Sequence, residues 1–256
     1  MEAEMNYPKY TTSVVVNNNS TDCFGFLHAK VLSQLVSDIA NLHTQKLGVD
    51  RLTLNKDGLT WMLRSVHFQI DKMPQQADKL QITTYPAGFE SLFALRCYEI
   101  CNEQGERMVS ISSQWMQIDI SKRRPIRPTA AIVQLNAGLA IPSEIKPCTL
   151  NAKMLPINFT EVREFVATFD FIDFNGHVTQ SAYMMWITNS LTFDFHKKYQ
   201  LIDAEVVYQH EVLPENRVKS FVCIETHDAQ VVVYHKLLSA TDGTEHCIAL
   251  TIWTLR

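Results

Sequence analysis

The spacing of apolar positions divides the chain into two stretches that follow the same order. Residues 13–17 form a short apolar run that predicts a strand. Leu27, Val31, Leu35, Ile39 and Leu42 then recur at helical spacing, Leu32 and Val36 widen the stripe, and Gly48 follows as a stop. Runs at 59–70, 80–85, 92–101 and 107–120 predict four strands. The second stretch repeats this: a strand at 165–171, a helix carrying Tyr183, Trp186, Ile187, Ser190 and Leu191, and runs at 204–212, 218–226, 231–240 and 245–255. Between the stretches lie five of the nine prolines (Pro125, Pro128, Pro142, Pro147, Pro156), which predict a linker with one short helix near 130–139.

The copies can be superposed. Gly105 and Trp115 recur as Gly243 and Trp253, each 138 positions on, and Asp22 and Gly25 recur as Asp173 and Gly176, each 151 positions on. One long helix against an antiparallel sheet is an α+β unit, and a tandem of two is expected to pack as a pseudo-dimer.

Composition narrows the function. A chain of 256 residues with 46% hydrophobic and 20% charged positions is that of a soluble globular protein, and a net charge of -4 gives no global attraction to nucleic acid or anionic membrane. No apolar run approaches the ~20 residues of a membrane helix, and the N-terminal segment has no signal-peptide pattern. The six cysteines are dispersed, which fits reduced thiols and a cytoplasmic location. None of the eight glycines sits in a nucleophile elbow, a dinucleotide fingerprint or a phosphate loop. Cys97 and Cys101 have no Cys or His partner at a ligand spacing, so neither metal nor cofactor is expected.

The candidate chemistry is Asp173, Asn175 and His177, on alternate residues ahead of the second helix. Read as extended backbone, the three project to one side and form a catalytic set. Asn175-Gly176 is also a turn signal, around which Asp and Asn serve as turn and cap residues. The first copy keeps the carboxylate as Asp22 but has Phe24 and Phe26 in place of the amide and imidazole, so one site per chain is expected.

Trp61-Met62-Leu63-Arg64, the strand Gly105…Trp115-Met116-Gln117-Ile118-Asp119, Arg123-Arg124-Pro125-Ile126-Arg127, Asp173-Phe174-Asn175-Gly176-His177-Val178, and then Tyr183, Trp186 and Glu211 stand in an order that resembles the double-hotdog acyl-[acyl-carrier-protein] thioesterases of bacteria and plant plastids. The resemblance covers nearly the whole chain. It implies a tandem double hotdog: an N-terminal hotdog at 1–128 that binds the acyl tail and has a degenerate site, a linker at 129–160, and a catalytic hotdog at 161–256. It also implies hydrolysis of fatty acyl-carrier-protein thioesters, ending chain elongation, and places Glu211, on a neighbouring strand, in the site. Three positions depart from the pattern. Thr179 and Gln180 replace two asparagines, Tyr85 replaces a Trp, and Val212 stands where plant members have Cys, which rules out a Cys/His pair there.

A thiol of pKa ~8.5 leaves readily, so the demanding step is attack at the carbonyl. On this reading Asp173 or Glu211 activates water (or Asp173 attacks directly), Asn175 orients the attacking group and His177 shuttles the proton. Backbone amides at 178–180 polarise the carbonyl. Phe24, Phe26, Phe68, Phe89 and Phe93 are candidates to line an apolar tunnel, or else ordinary core. The basic run Lys122, Arg123, Arg124 and Arg127 is a docking candidate for an acidic carrier protein, or else a solvated strand end held by local ion pairs. Rival readings are a hotdog acyl-CoA thioesterase or hydratase and a non-catalytic acyl-binding protein; the chain is expected to act as a monomer or homodimer.

Overall fold

The computed structural model describes residues 8–256. In the first half β1 (Tyr10–Val15) alternates half-buried and exposed positions, as an edge strand should. The helix α1 (Ala29–Lys46) buries Leu32, Val36, Ile39, Ala40 and His43 at helical spacing, and Gly48, with φ +69°, turns the chain out of it as expected. A short α2 (Arg51–Asn55) follows, capped by the Asp50 carboxylate, which accepts from the amides of Leu52 and Thr53. The strands β2 (Leu59–Ile70), β3 (Lys79–Glu90), β4 (Phe93–Cys101) and β5 (Arg107–Asp119) complete the unit. Strand β3 runs five residues beyond the expected 80–85, past an irregularity between Pro86 and Phe89.

The short β6 (Arg124–Ile126) pairs with β5, and α3 (Ala130–Leu135) is four residues shorter than its pattern predicts because Asn136 leaves helical geometry. The second half opens with β7 (Thr160–Val166), which lies N-terminal to the expected 165–171; residues Phe169–Phe171 form a 3-10 turn instead. The expected helix is α4 (Gln180–Asn189), and α5 (Phe193–Lys198) follows where no element was expected, started by Thr192, which accepts from the Phe195 amide. The strands β8 (Tyr199–Tyr208), β9 (Arg217–His227), β10 (Gln230–Ser239) and β11 (Glu245–Leu255) follow.

All the strands join one antiparallel sheet in the order β1-β3-β4-β5-β2-β8-β11-β10-β9-β7, with β6 beside β5. The order reads the same from either end once the copies are matched, so the halves meet about a pseudo-twofold axis at the β2–β8 pairing, from Ser65↔Val207 to Gln69↔Asp203. The equivalence extends to side chains: Trp115 Nε1 donates to Ser113 Oγ at 2.8 Å, and Trp253 Nε1 donates to Thr251 Oγ1 at 2.8 Å. Both long helices lie on one face over a core shared by the two halves, and the side-chain Nε2 of Gln180 donates to the Ser33 carbonyl at 2.9 Å. Past α3, the chain between the halves crosses the opposite face. Ile145 packs with Tyr85, Leu95 and Cys97, and Leu150 packs with Val207 and Ile248. There Ser112 donates to the Lys146 carbonyl at 2.7 Å, and His67 bridges that strap to Asp203 at 3.0 Å.

Candidate active site

Residues 173–177 do not run extended. They form a tight turn in which the Asp173 amide donates to the His177 carbonyl at 2.7 Å and the Gly176 amide to the Asp173 carbonyl at 3.0 Å. Asp173 Oδ1 accepts from the amides of Asn175 (2.7 Å) and His177 (3.2 Å), and its Oδ2 accepts from Asn175 Nδ2 at 3.2 Å. Gly176 has φ +77°, a conformation available to glycine without a Cβ clash, which is why Asn-Gly closes the turn. The first copy builds the same turn: Asp22 Oδ1 accepts from Phe24 (2.9 Å) and Phe26 (3.0 Å), with the Asp22 amide on the Phe26 carbonyl at 2.7 Å. The aspartate therefore organises the backbone in both copies, and the alternation of Asp173, Asn175 and His177 reflects a turn, not a strand.

What differs between the copies is the cargo of the turn. In the second, His177 Nε2 lies 3.1 Å from Glu211 Oε2, with their side chains 34% and 39% exposed. Glu211 lies in the loop after β8, since the strand ends at Tyr208 and not at 212 as expected; Val212, buried, fixes that loop by accepting from the Val178 amide at 3.0 Å. The other Glu211 oxygen pairs with Arg123. Asn175 Oδ1 accepts from Arg51 Nη1 at 3.1 Å, and the Arg51 guanidinium sits 4.2 Å from the Phe174 ring centroid. Thus both arginines that hold the second-half site come from the first half. In the first copy, Arg256 stacks over Phe24 and Phe26, at 4.3 and 4.9 Å from their centroids, and covers the corresponding turn.

Asp173, Asn175, His177 and Glu211 all line a cavity of about 1120 Å³ that runs between α1 and the first-half strands. Its deeper wall includes Trp61, Ala94, Leu95, Trp115, Ile132 and Leu135. None of the five phenylalanines expected along a tunnel lines it: Phe68 is core, Phe93 faces the strap, and Phe24 and Phe26 lie under Arg256. The expected amide cradle is also reduced. The Val178 and Thr179 amides donate to the carbonyls of Val212 (3.0 Å) and Phe171 (2.8 Å), leaving that of Gln180 at the start of α4. Tyr183, also on the wall, is kept a neutral phenol because burial raises its pKa.

Lys122, Arg123, Arg124 and Arg127 are exposed. Lys122 is tied to Asp119 at 2.9 Å, as the local-ion-pair alternative expects, whereas Arg123 is tied to the site. Arg51 escaped the sequence reading altogether, because its partner is 124 positions away and nothing local marks it. The described residues hold no cluster of metal-ligating side chains, and no described helix is long and apolar enough to cross a membrane.

Two matched helix-and-sheet units joined in one antiparallel sheet define the chain as a double-hotdog protein. The family model of the acyl-ACP thioesterase N-terminal domain matches residues 8–135, and that of the C-terminal domain matches residues 156–255. The chain belongs to the acyl-ACP thioesterase family. It is 23% identical over 214 residues to a chloroplastic acyl-[acyl-carrier-protein] hydrolase of Cuphea viscosissima, which covers 77% of this chain and 49% of the relative. The chain thus spans about half the length of that curated relative. Its fold is shared with an acyl-ACP thioesterase from Bacteroides thetaiotaomicron (TM-score 0.79, 22% identity, 96% of this chain and 97% of the other). It is also shared with a 12:0-ACP thioesterase from Umbellularia californica (TM-score 0.81, 15% identity, 97% and 94%).

Proposed function

We propose that the protein hydrolyses fatty acyl-carrier-protein thioesters in the cytoplasm, releasing the free acid and the carrier thiol and so ending chain elongation. The observation that carries this reading is the His177–Glu211 pair, half open to solvent at a cavity that extends into the other half. Glu211 accepts from His177 Nε2, which leaves Nδ1 as the basic nitrogen. Water gives a proton to Nδ1 as its oxygen adds to the thioester carbonyl. Asn175 Nδ2 and the Gln180 amide stabilise the oxyanion, and collapse expels the thiolate, which takes the proton back from His177. Asp173, with both oxygens committed to the turn, positions Asn175 and His177. Arg51 and Arg123 hold Asn175 and Glu211. The first half receives the acyl tail, each buried methylene contributing about 0.8 kcal/mol.

Arg124 and Arg127, beside the Arg123–Glu211 pair, offer an anionic carrier a landing surface next to the site. A thiol-release assay with carrier-bound and CoA-bound acyl chains of graded length tests the whole reading. Wild type is expected to release thiol and His177→Ala to lose about a hundredfold or more in kcat with its fold intact. Binding of acyl-carrier protein without thiol release would mark a non-catalytic acyl-binding protein instead, and loss of a substrate double bond without thiol would mark a hydratase.

A further inference from the structure

Arg96 stands on β4 with its side chain on the α1 face of the sheet, lines the cavity, and is only 9% exposed. No carboxylate pairs with it among the described residues. Its Nη1 donates to His43 Nδ1 at 3.0 Å and to Thr84 Oγ1 at 3.2 Å, and its Nε and Nη2 have no hydrogen-bond partner among the described residues. His43 is neutral and so able to accept: burial, then the charges of Arg96 and Lys46, hold its pKa down at about 4. A buried guanidinium without a counter-ion is costly unless something else meets its donors.

The fold does not require it. In the second copy the hydroxyl of Thr251 reaches the Val233 carbonyl just as Ser113 reaches that of Arg96, and the ladder pairs Val233 with Thr251 as it pairs Arg96 with Ser113. Val233 is therefore the counterpart of Arg96, and it is a fully buried core residue. The charge is a departure from the valine of the other copy, and it faces the space into which an acyl tail would pass. A purely alkyl tail there would strip water from the guanidinium and offer nothing in return.

Resting on the hydrolase reading above, we infer that the acyl chains this protein selects carry an acceptor oxygen in their distal part, a hydroxyl, keto or carboxylate group, which Arg96 binds inside the cavity. Strand β4 is separated from β8, which leads to Glu211, by β5 and β2, so three strand spacings of ~4.8 Å put Arg96 roughly 14 Å from that side of the site. The recognised oxygen accordingly lies well away from the thioester. Arg96 acts on specificity and takes no part in bond breaking.

Carrier-bound chains of graded length are compared in three forms: plain alkyl, distal hydroxyl and terminal carboxylate. Wild type is expected to show a kcat/KM about tenfold or more higher for one of the oxygenated forms than for the plain chain of equal length. Arg96→Val, which installs the residue of the other copy, is expected to reverse that order. Calorimetric binding of the corresponding free acids reads the same preference without turnover, so a preference that survives in binding while no thiol is released would sink the hydrolase reading and leave the role of Arg96 standing. Equal or better handling of plain chains by wild type at every length would overturn the inference, and so would a loss in Arg96→Val shared equally by all three forms.

Discussion

Asp22 and Asp173 hold the same turn with the same amides, yet only the second turn carries an amide and an imidazole. This pairing separates scaffold from chemistry. Removing either carboxylate leaves two backbone amides without their acceptor, so Asp22→Ala and Asp173→Ala should each cost about 1 kcal/mol in denaturant unfolding. Only Asp173→Ala should also lower kcat, because only there does the turn aim Asn175 and His177. Equal activity losses in both would show that the turn acts through folding alone. Among the basic residues the structure draws a similar line. Arg123→Ala should lower kcat on carrier and CoA substrates alike, since it frees Glu211, whereas Arg124→Ala and Arg127→Ala should raise KM for the carrier substrate alone. Steady-state kinetics on the two substrates separates these outcomes.

At the scale of elements, the cavity is closed by a segment that leans on one glycine. A Cβ on Gly88 would meet the Leu139 carbonyl oxygen at 2.1 Å, and its φ of +88° is strained for any other residue. The Gly88 amide also donates to the Asn136 side chain at 3.2 Å. Gly88→Ala should therefore push the segment after α3 off the sheet. The expected results are a loss of about 1 kcal/mol or more in thermal unfolding and a changed chain-length profile, since Leu135 and Asn136 line the cavity. The periodicity of α1 was plain from Leu32, Val36 and Ile39, which all face the core. The helix α5 was not, because its six residues are too few to show a period and Thr192, as a cap, starts it locally. The end of β8 was missed for a related reason: residues 209–212 look strand-like, but they bend to bring Glu211 to His177.

For the molecule as a whole, the strap on the outer face ties the halves together through buried His67 and half-buried Asp203, 3.0 Å apart. Burial, the largest single influence on His67, lowers its pKa. The hydrogen bond and charge of Asp203, with Glu205 nearby, outweigh burial and leave it raised. A raised histidine contributes stability in full below its ordinary value near 6.5, and the contribution is lost as pH rises through the raised value. Urea unfolding across that window should show wild type losing a pH-dependent increment of stability that Asp203→Asn lacks from the start; parallel profiles would remove the pair from the account. The sequence alone determined the repeated order of elements and the absence of the amide and imidazole from the first copy, and it offered the turn at Asn175-Gly176 beside the extended reading, because apolar periodicity and turn propensity are local properties. Only the tertiary structure decided that Arg51 and Arg123 reach across to Asn175 and Glu211, that the phenylalanines stay out of the cavity, and that Arg96 enters it. Those outcomes depend on which strands become neighbours, and a pairing set by distant packing leaves no periodic mark on the residues it joins.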